Sequence, residues 1–298
     1  MKRRYVIADV FTDTPFSGNP VAVVLDAEGM TTEQMQQVAV EFGYSETTFV
    51  LPPENISNTA RVRIFTPSRE IPFAGHPNLG TAFVLANHTA TKTRELPETL
   101  LFEEDAGLVP VRLIKDNGIV TSTELLVPEA LSCRSEVSPQ KIAACLSLEV
   151  EDIRTEVHPP LVASVGLPFL VVELTSREAL RRCVPNLQGF RGVLPLDGAV
   201  SIYAYTLETA PEDQCELQVR MFTPRMTEDP ATGSATAAVT ALLAQLRNQK
   251  TLKLCVSQGV DMGRASLLYS SYDATSERVY VRVGGKSVIV MEGTFSLS

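Results

Sequence analysis

Two short turns and two carboxylates are the parts of this 298-residue chain best able to do chemistry. Ala74-Gly75-His76 and Thr232-Gly233-Ser234 each stand immediately before an apolar, helix-forming stretch, Pro77 to Ala86 and Ala235 to Leu246. A helix start presents unpaired N–H groups and the positive end of the macrodipole, and glycine lets a ligand approach the backbone closely. Each turn can therefore cradle a carboxylate or an oxyanion. Glu46, in Tyr44-Ser45-Glu46-Thr47, falls between a helix stop and an apolar strand, where burial raises a carboxyl toward the range useful for proton transfer. Asp229 precedes Pro230 beside the second turn. Each residue also has a purely structural reading: a solvated loop acid for Glu46, a turn-initiating or capping role for Asp229, a satisfied turn histidine for His76.

The two turns sit in a repeated frame. Arg63-Ile64-Phe65-Thr66-Pro67 runs on to Pro72-Phe73-Ala74-Gly75-His76, and Arg220-Met221-Phe222-Thr223-Pro224 runs on to Pro230-Ala231-Thr232-Gly233-Ser234. The offset is 157 at the arginines (220 − 63) and 158 at the turn glycines (233 − 75). A second pair, Gly18-Asn19-Pro20-Val21-Ala22-Val23-Val24 and Gly166-Leu167-Pro168-Phe169-Leu170-Val171-Val172, recurs at an offset of 148 (166 − 18). This points to an internal duplication into paired domains, because solenoid repeats run about 20–50 residues.

Composition narrows the function. With 26 Lys and Arg against 35 Asp and Glu the net charge is −9, which attracts neither nucleic acid nor an anionic membrane. Lys2, Arg3 and Arg4 resemble the start of a signal segment, but Asp9 cuts the apolar stretch behind them, so a soluble cytoplasmic protein is expected. The five cysteines are odd in number, widely spaced and without a Cys-x-x-Cys pair; reduced thiols are expected, with neither a disulfide framework nor a zinc site. Only three histidines occur, His76, His88 and His158, too scattered for a helical ligand pair, so no metal is expected. No Gly-x-Gly-x-x-Gly or Gly-x4-Gly-Lys-Ser/Thr motif offers a nucleotide cofactor a seat.

The elements that position these residues follow from periodicity. In the first half, strands are expected at Tyr5 to Val10, Val21 to Leu25, Thr47 to Leu51 and Arg61 to Thr66, with more near Leu100–Glu103, Leu108–Ile114 and Glu124–Val127. A helix begins at the capping box Thr31/Gln34 and stops at Gly43. In the second half, Leu170 to Leu174, Val200 to Leu207, Gln218 to Thr223, Leu252–Ser257, Ala265–Ser270, Val279–Val283 and Ser287–Glu292 read as strands and Ser176 to Cys183 as a helix. Many short strands with one strong apolar helix per half predict an α+β fold of two pseudo-symmetric domains, each a curved, mostly antiparallel sheet wrapped around a central helix. The domains are expected at 1–128 and 129–286, with a strand at about 287–298 returning to the first.

Taken in order, the motifs resemble a known family. Pro15-Phe16-Ser17-Gly18-Asn19-Pro20, Tyr44-Ser45-Glu46-Thr47, Arg63-x-Phe65-Thr66-Pro67, Phe73-Ala74-Gly75-His76-Pro77, Glu228-Asp229-Pro230-Ala231-Thr232-Gly233-Ser234-Ala235 and Gln258-Gly259-x-x-Met262-Gly263-Arg264 are similar to those of the phenazine-biosynthesis PhzF-like isomerases along essentially the whole chain. The resemblance implies a fold like diaminopimelate epimerase, a homodimer, and catalysis without cofactor in which Glu46 moves a proton while His76, Asp229 and Ser234 shape the site. Gly75 and Gly233 are then backbone donors, and Asn19 and Ser45, inside matched motifs, are expected to contact substrate.

Related epimerases and racemases carry a cysteine before each turn glycine; here those positions are Ala74 and Thr232, which cannot act as bases. A two-thiol racemisation is thereby excluded. One carboxylate that takes and returns a proton suits an isomerisation of a small anionic substrate. The alternatives are an anion-binding or protein-interaction module without turnover, and a racemase or epimerase without catalytic cysteines.

Overall fold

The computed structural model describes residues 2–89, 96–209 and 215–297; the side chain of His88 lies outside the described residues. The chain divides into two compact units, Met1–Leu125 with Gly284–Ser298, and Leu126–Val283. The architecture is sheet-rich with a few helices, an α+β fold.

In the first unit, β1 (Lys2–Val10) pairs antiparallel with β2 (Asn19–Val24) and with the chain's last strand, Tyr280–Ser296. Helix α1 (Thr32–Phe42) has the full Thr31/Gln34 capping box and ends at Gly43 in the left-handed region, φ 68°. The strands β3 (Thr47–Leu51), β4 (Ala60–Phe65) and β5 (Glu70–Ile71) follow; β3 runs parallel to β2 and antiparallel to β4. Helix α2 (Gly75–Thr89) leads to β6 (Thr99–Glu104), β7 (Gly107–Asp116) and β8 (Ile119–Leu126), with β6 parallel to β4. Helix α2 packs on β1, β2, β3 and β7. Gly80 makes this fit possible: a Cβ there would lie 2.4 Å from Val21 Cγ1 and 2.8 Å from Val10 Cγ2. The Thr48–Thr81 hydroxyl pair (2.8 Å) ties the same helix to β3.

The second unit contains β9 (Ser132–Glu136), α3 (Pro139–Leu146), β10 (Leu161–Ser164), β11 (Pro168–Glu173), α4 (Arg177–Arg182), α5 (Leu187–Val193), β12 (Ile202–Thr206), β13 (Leu217–Phe222), β14 (Glu228–Asp229), α6 (Gly233–Leu246), β15 (Thr251–Gln258) and β16 (Ser266–Asp273). Its pairings run in the same order as those of the first unit. Strand β11 is antiparallel to β10 and parallel to β12, and β13 is antiparallel to β12 and β14 but parallel to β15. Eleven of the fourteen residues of α6 are buried, the state expected of a helix that is small and apolar on every side. Among the described residues no helix is long and apolar enough to cross a membrane.

The repeated Arg-x-Phe-Thr-Pro frame proves to be a clamp. Arg63 donates to both carboxylate oxygens of Glu70 (2.6 and 2.7 Å) and lies over the Phe65 ring, closing the β4–β5 hairpin. Arg220 pairs in the same two-pronged way with Glu228 across β13 and β14, and lies over Phe222. In each hairpin the threonine N–H closes the turn, onto Arg69 O for Thr66 and onto Thr227 O for Thr223. Arg220 does more: its Nη1 donates to the carbonyls of Leu180, Arg181 and Cys183, satisfying the end of α4.

Three expectations need correction. The apolar helices begin earlier than Pro77 and Ala235, so Gly75, His76, Gly233 and Ser234 lie inside the first turns. Proline is tolerated at that depth because first-turn N–H groups have no intrahelical acceptor. The strands expected at Val279–Val283 and Ser287–Glu292 are one continuous strand; Gly284 is no break but a close approach, with Thr123 O only 2.2 Å from where a Cβ would stand. Finally, the cysteines are not all reduced: Cys215 and Cys255 form a disulfide (S–S 2.07 Å, Cα–Cα 4.5 Å). The parallel pairing of β13 with β15 sets those chain positions side by side, and nothing in their spacing of 40 announces it.

Arg220 is 9% exposed, so removing its charge strands Glu228 and three carbonyls. Arg220→Met is expected to cost about 3–5 kcal/mol, and Arg63→Met, at a more open clamp, distinctly less. Thermal melts of the two variants check the order.

Candidate active site

Each unit carries one cluster of the residues singled out by sequence. In the first unit, the stop of α1 at Gly43 returns the chain to the sheet, and the parallel β2–β3 register (Ala22 opposite Thr47) sets Glu46 just ahead of β3. The Glu46 side chain is 18% exposed, and its Oε2 lies 3.6 Å from Nδ1 of His76 in the first turn of α2. Asn19, fully buried, opens β2; Pro20 follows it, close to His76. Ser45 is exposed.

Burial pushes the His76 imidazole down to about 4, against a smaller opposing effect of the Pro20 carbonyl. At neutral pH the ring is therefore uncharged. The 3.6 Å approach to Glu46 is a contact between a carboxyl group and a neutral imidazole, not an ion pair, although the distance alone would admit one. His76 Nε2 is buried without a hydrogen-bond partner among the described residues, a cost that a ligand's polar atom would relieve. Gly75 is not forced by packing: an added Cβ would meet only Leu125 Cδ1, at 4.0 Å.

In the second unit, Asp229 ends β14 and Thr232 precedes α6. Thr232 Oγ1 donates to Asp229 Oδ2 at 2.5 Å. Its hydroxyl is thus committed, and α6 has no side-chain cap, which leaves the helix-start N–H groups of Gly233 and Ser234 to other acceptors. Gln258, fully buried, holds this turn from behind. Its Nε2 donates to Asp229 O (2.8 Å) and Thr232 Oγ1 (3.0 Å), and its Oε1 accepts from Thr232 N (3.0 Å). Gly259 must be glycine, since its φ is 75° and a Cβ would lie 2.4 Å from Arg264 O and 2.7 Å from Pro230 O. Burial, with a contribution from Asp229, holds the Tyr203 phenol well above its ordinary range, protonated and bonded to Thr236 Oγ1 at 2.7 Å.

The structure brings Glu46, His76 and Asn19 together in one unit, and Asp229, Gly233 and Ser234 in the other. Sequence reasoning gave Gln258 no role, although it stood in a matched motif; an amide ahead of a left-handed glycine was the available signal.

The family description "Phenazine biosynthesis-like protein" (PhzC-PhzF) matches residues 8–293. An uncharacterized isomerase, mll1393, of Mesorhizobium japonicum is 35% identical over 98% of both chains. The trans-2,3-dihydro-3-hydroxyanthranilate isomerase of Pseudomonas aeruginosa is 34% identical over 97% of this chain and 98% of its own. The crystal structure of a PhzF-family phenazine biosynthesis protein of Bacillus anthracis superposes with a TM-score of 0.89 at 28% identity, covering all of both chains.

Because the folded state of His76 resists protonation, the unfolded chain takes up the proton first as pH falls. The contribution is complete above about 6.5 and is lost on the way down to about 4. We expect the wild type to lose up to about 3 kcal/mol across that window relative to His76→Gln. Urea melts of both proteins at stepped pH measure the difference.

Proposed function

We infer the reaction from the premise that this chain belongs to the PhzC-PhzF family of phenazine biosynthesis-like proteins, and that it is an isomerase. We propose that it works without cofactor, moving one proton on a small carboxylate-bearing substrate through the single carboxylate of Glu46. The observation that carries this reading is the largely buried Glu46 carboxyl set against a neutral His76 at a helix start. Ala74 and Thr232 stand where a thiol pair would be needed for inversion, and the Thr232 hydroxyl is engaged by Asp229.

In this scheme the Glu46 carboxylate removes an acidic C–H proton and becomes the neutral acid. The electron pair moves into the adjoining unsaturated system, and the same acid returns the proton to a second carbon. Charge that develops on the substrate is met by N–H groups of Gly75 and His76, and His76, being uncharged, donates a hydrogen bond without releasing a proton. Asn19 and Ser45 contact the substrate, and in the second unit Asp229, Gly233 and Ser234 form a candidate anion cradle of their own. The substrate class is a cyclic, unsaturated carboxylate; trans-2,3-dihydro-3-hydroxyanthranilate, for which the Pseudomonas relative is named, is the first to try. We further propose that the two units descend from one duplicated ancestor on the diaminopimelate epimerase plan, which the matching order of strand pairings supports, and that the enzyme is a cytoplasmic homodimer.

Wild-type enzyme is expected to exchange deuterium from solvent into such a substrate, and Glu46→Gln to lower that exchange by at least about 10²-fold while still binding it. Proton NMR in D2O, with calorimetry for binding, checks both. Persistent exchange in Glu46→Gln removes Glu46 as the base; binding of every carboxylate without exchange in the wild type favours a binding module; loss of optical rotation in a chiral substrate favours a racemase.

A further inference from the structure

Behind the first helix start lie three buried polar atoms with no hydrogen-bond partner: Asn78 Oδ1 and both carboxyl oxygens of Glu104. Asn78, one turn beyond Gly75 and fully buried, uses its Nδ2 to donate to Ala74 O at 3.1 Å, and so braces the bend that leads into Gly75 and His76. Glu104, at the end of β6, is within hydrogen-bonding reach of the Asn78 side chain. A carboxylate has only acceptors and cannot satisfy an amide oxygen. One proton resolves all three atoms: a neutral Glu104 donates its O–H to Asn78 Oδ1 and accepts the second Asn78 N–H at its carbonyl oxygen, an uncharged acid–amide pair.

We propose that Glu104 is held as the neutral acid at neutral pH and serves as a positioning residue, steadying through Asn78 the Ala74–Gly75–His76 turn of the candidate site. This rests on the reading of that turn as part of the active site.

The charges around Glu104 favour the neutral form. Arg61 lines the same cavity of about 550 Å³ as Glu104, and it is spent on Glu54 (2.6 Å). Glu103 is occupied by Glu54 N, Asn55 N and Asn58 Nδ2, while Asp105 adds a like charge. His76, on α2 with Asn78, is uncharged. Desolvation first, and Asp105 with it, push the Glu104 carboxyl up to about 8 despite the Asn78 amide. The unfolded chain therefore gives up this proton before the folded one. The stability of the folded state is full below about 4.5 and declines as pH climbs to about 8. Above that, ionised Glu104 can still accept from the Asn78 amide but no longer donates to Asn78 Oδ1, and the brace on Ala74 loosens.

The test compares wild type with Glu104→Gln, whose side-chain N–H can replace the O–H at every pH, and with Glu104→Ala, which cannot. Backbone amide resonances of Gly75 and His76 and the side-chain amide of Asn78 are followed by NMR from pH 6 to beyond about 8. They are expected to move together with a midpoint near 8 in the wild type and to stay still in Glu104→Gln; Glu104→Ala is expected to show the loosened positions throughout. Infrared spectra should show the carbonyl stretch of a protonated carboxylic acid at neutral pH that Glu104→Gln lacks, and Glu104→Gln should gain stability over wild type as pH rises. Substrate exchange, where the wild type shows it, should fall several-fold above pH 8 and lose that limb in Glu104→Gln. Amides that do not titrate, or that titrate alike in both proteins, overturn the proposal. A wild type that exchanges no substrate overturns the reading of Glu46 instead, and leaves the amide titration to decide Glu104.

Discussion

The burial of one imidazole against one carboxyl group sets the terms for the rest of this molecule. In water an imidazole next to Glu46 would take up a proton as pH falls through its ordinary midpoint of 6.5 and form an ion pair. Here the ring is stripped of solvent, its proton is lost, and Glu46 faces a neutral neighbour at 3.6 Å. A neutral histidine does not compete for the proton a base must carry. The elements around the pair serve its position: the capped helix α1 that ends just before it, the parallel register of β2 and β3 that aims it, and the first turn of α2 that brings the ring.

Positioning such a turn demands a rigid lead-in, and the repeated frame supplies one in each unit. An arginine grips a glutamate across a short hairpin and lies over an aromatic ring two residues on, and the chain then bends into a helix start. The most conspicuous repeat in the sequence is thus scaffolding. In the proposed reaction the chemistry falls to quieter residues on either side of it, Glu46 before and His76 after. The second unit reinforces its bend with Gln258, which ties Asp229 to Thr232 on three hydrogen bonds and takes up the hydroxyl that would otherwise cap α6.

Much of this was legible before any coordinates. The Thr31/Gln34 box, the left-handed stop at Gly43 and the limits of β3 at Thr47–Leu51 were readable because local rules act there with little interference. Many short strands with a single strong apolar helix per half pointed to the α+β class. Local rules failed where tertiary contacts decide. Pro77 hid the true start of α2. Gly284 read as a break and is a close contact, and Cys215 with Cys255 share no spacing signature. The short helices α3 and α5 were not read from the sequence, although α3 opens on Pro139 and buries Ile142, Ala143, Cys145 and Leu146 at helical spacing. At the site, residue types marked Glu46, His76 and Asp229, yet the charge state of His76 depends on burial that no spacing encodes. Asn78 and Glu104 emerge only once their buried surroundings can be named.

The nitrogen-15 spectrum of the His76 ring addresses the central claim most directly. In protein labelled at histidine, the ring of a neutral imidazole gives two well-separated resonances, one from the protonated nitrogen and one from the bare nitrogen, whereas an imidazolium brings them close together. The account predicts that His76 keeps the separated pair from neutral pH down toward its midpoint near 4. Collapse of that pair at or above pH 6.5, the ordinary midpoint of an unburied histidine, would show an ion pair with Glu46 and contradict it.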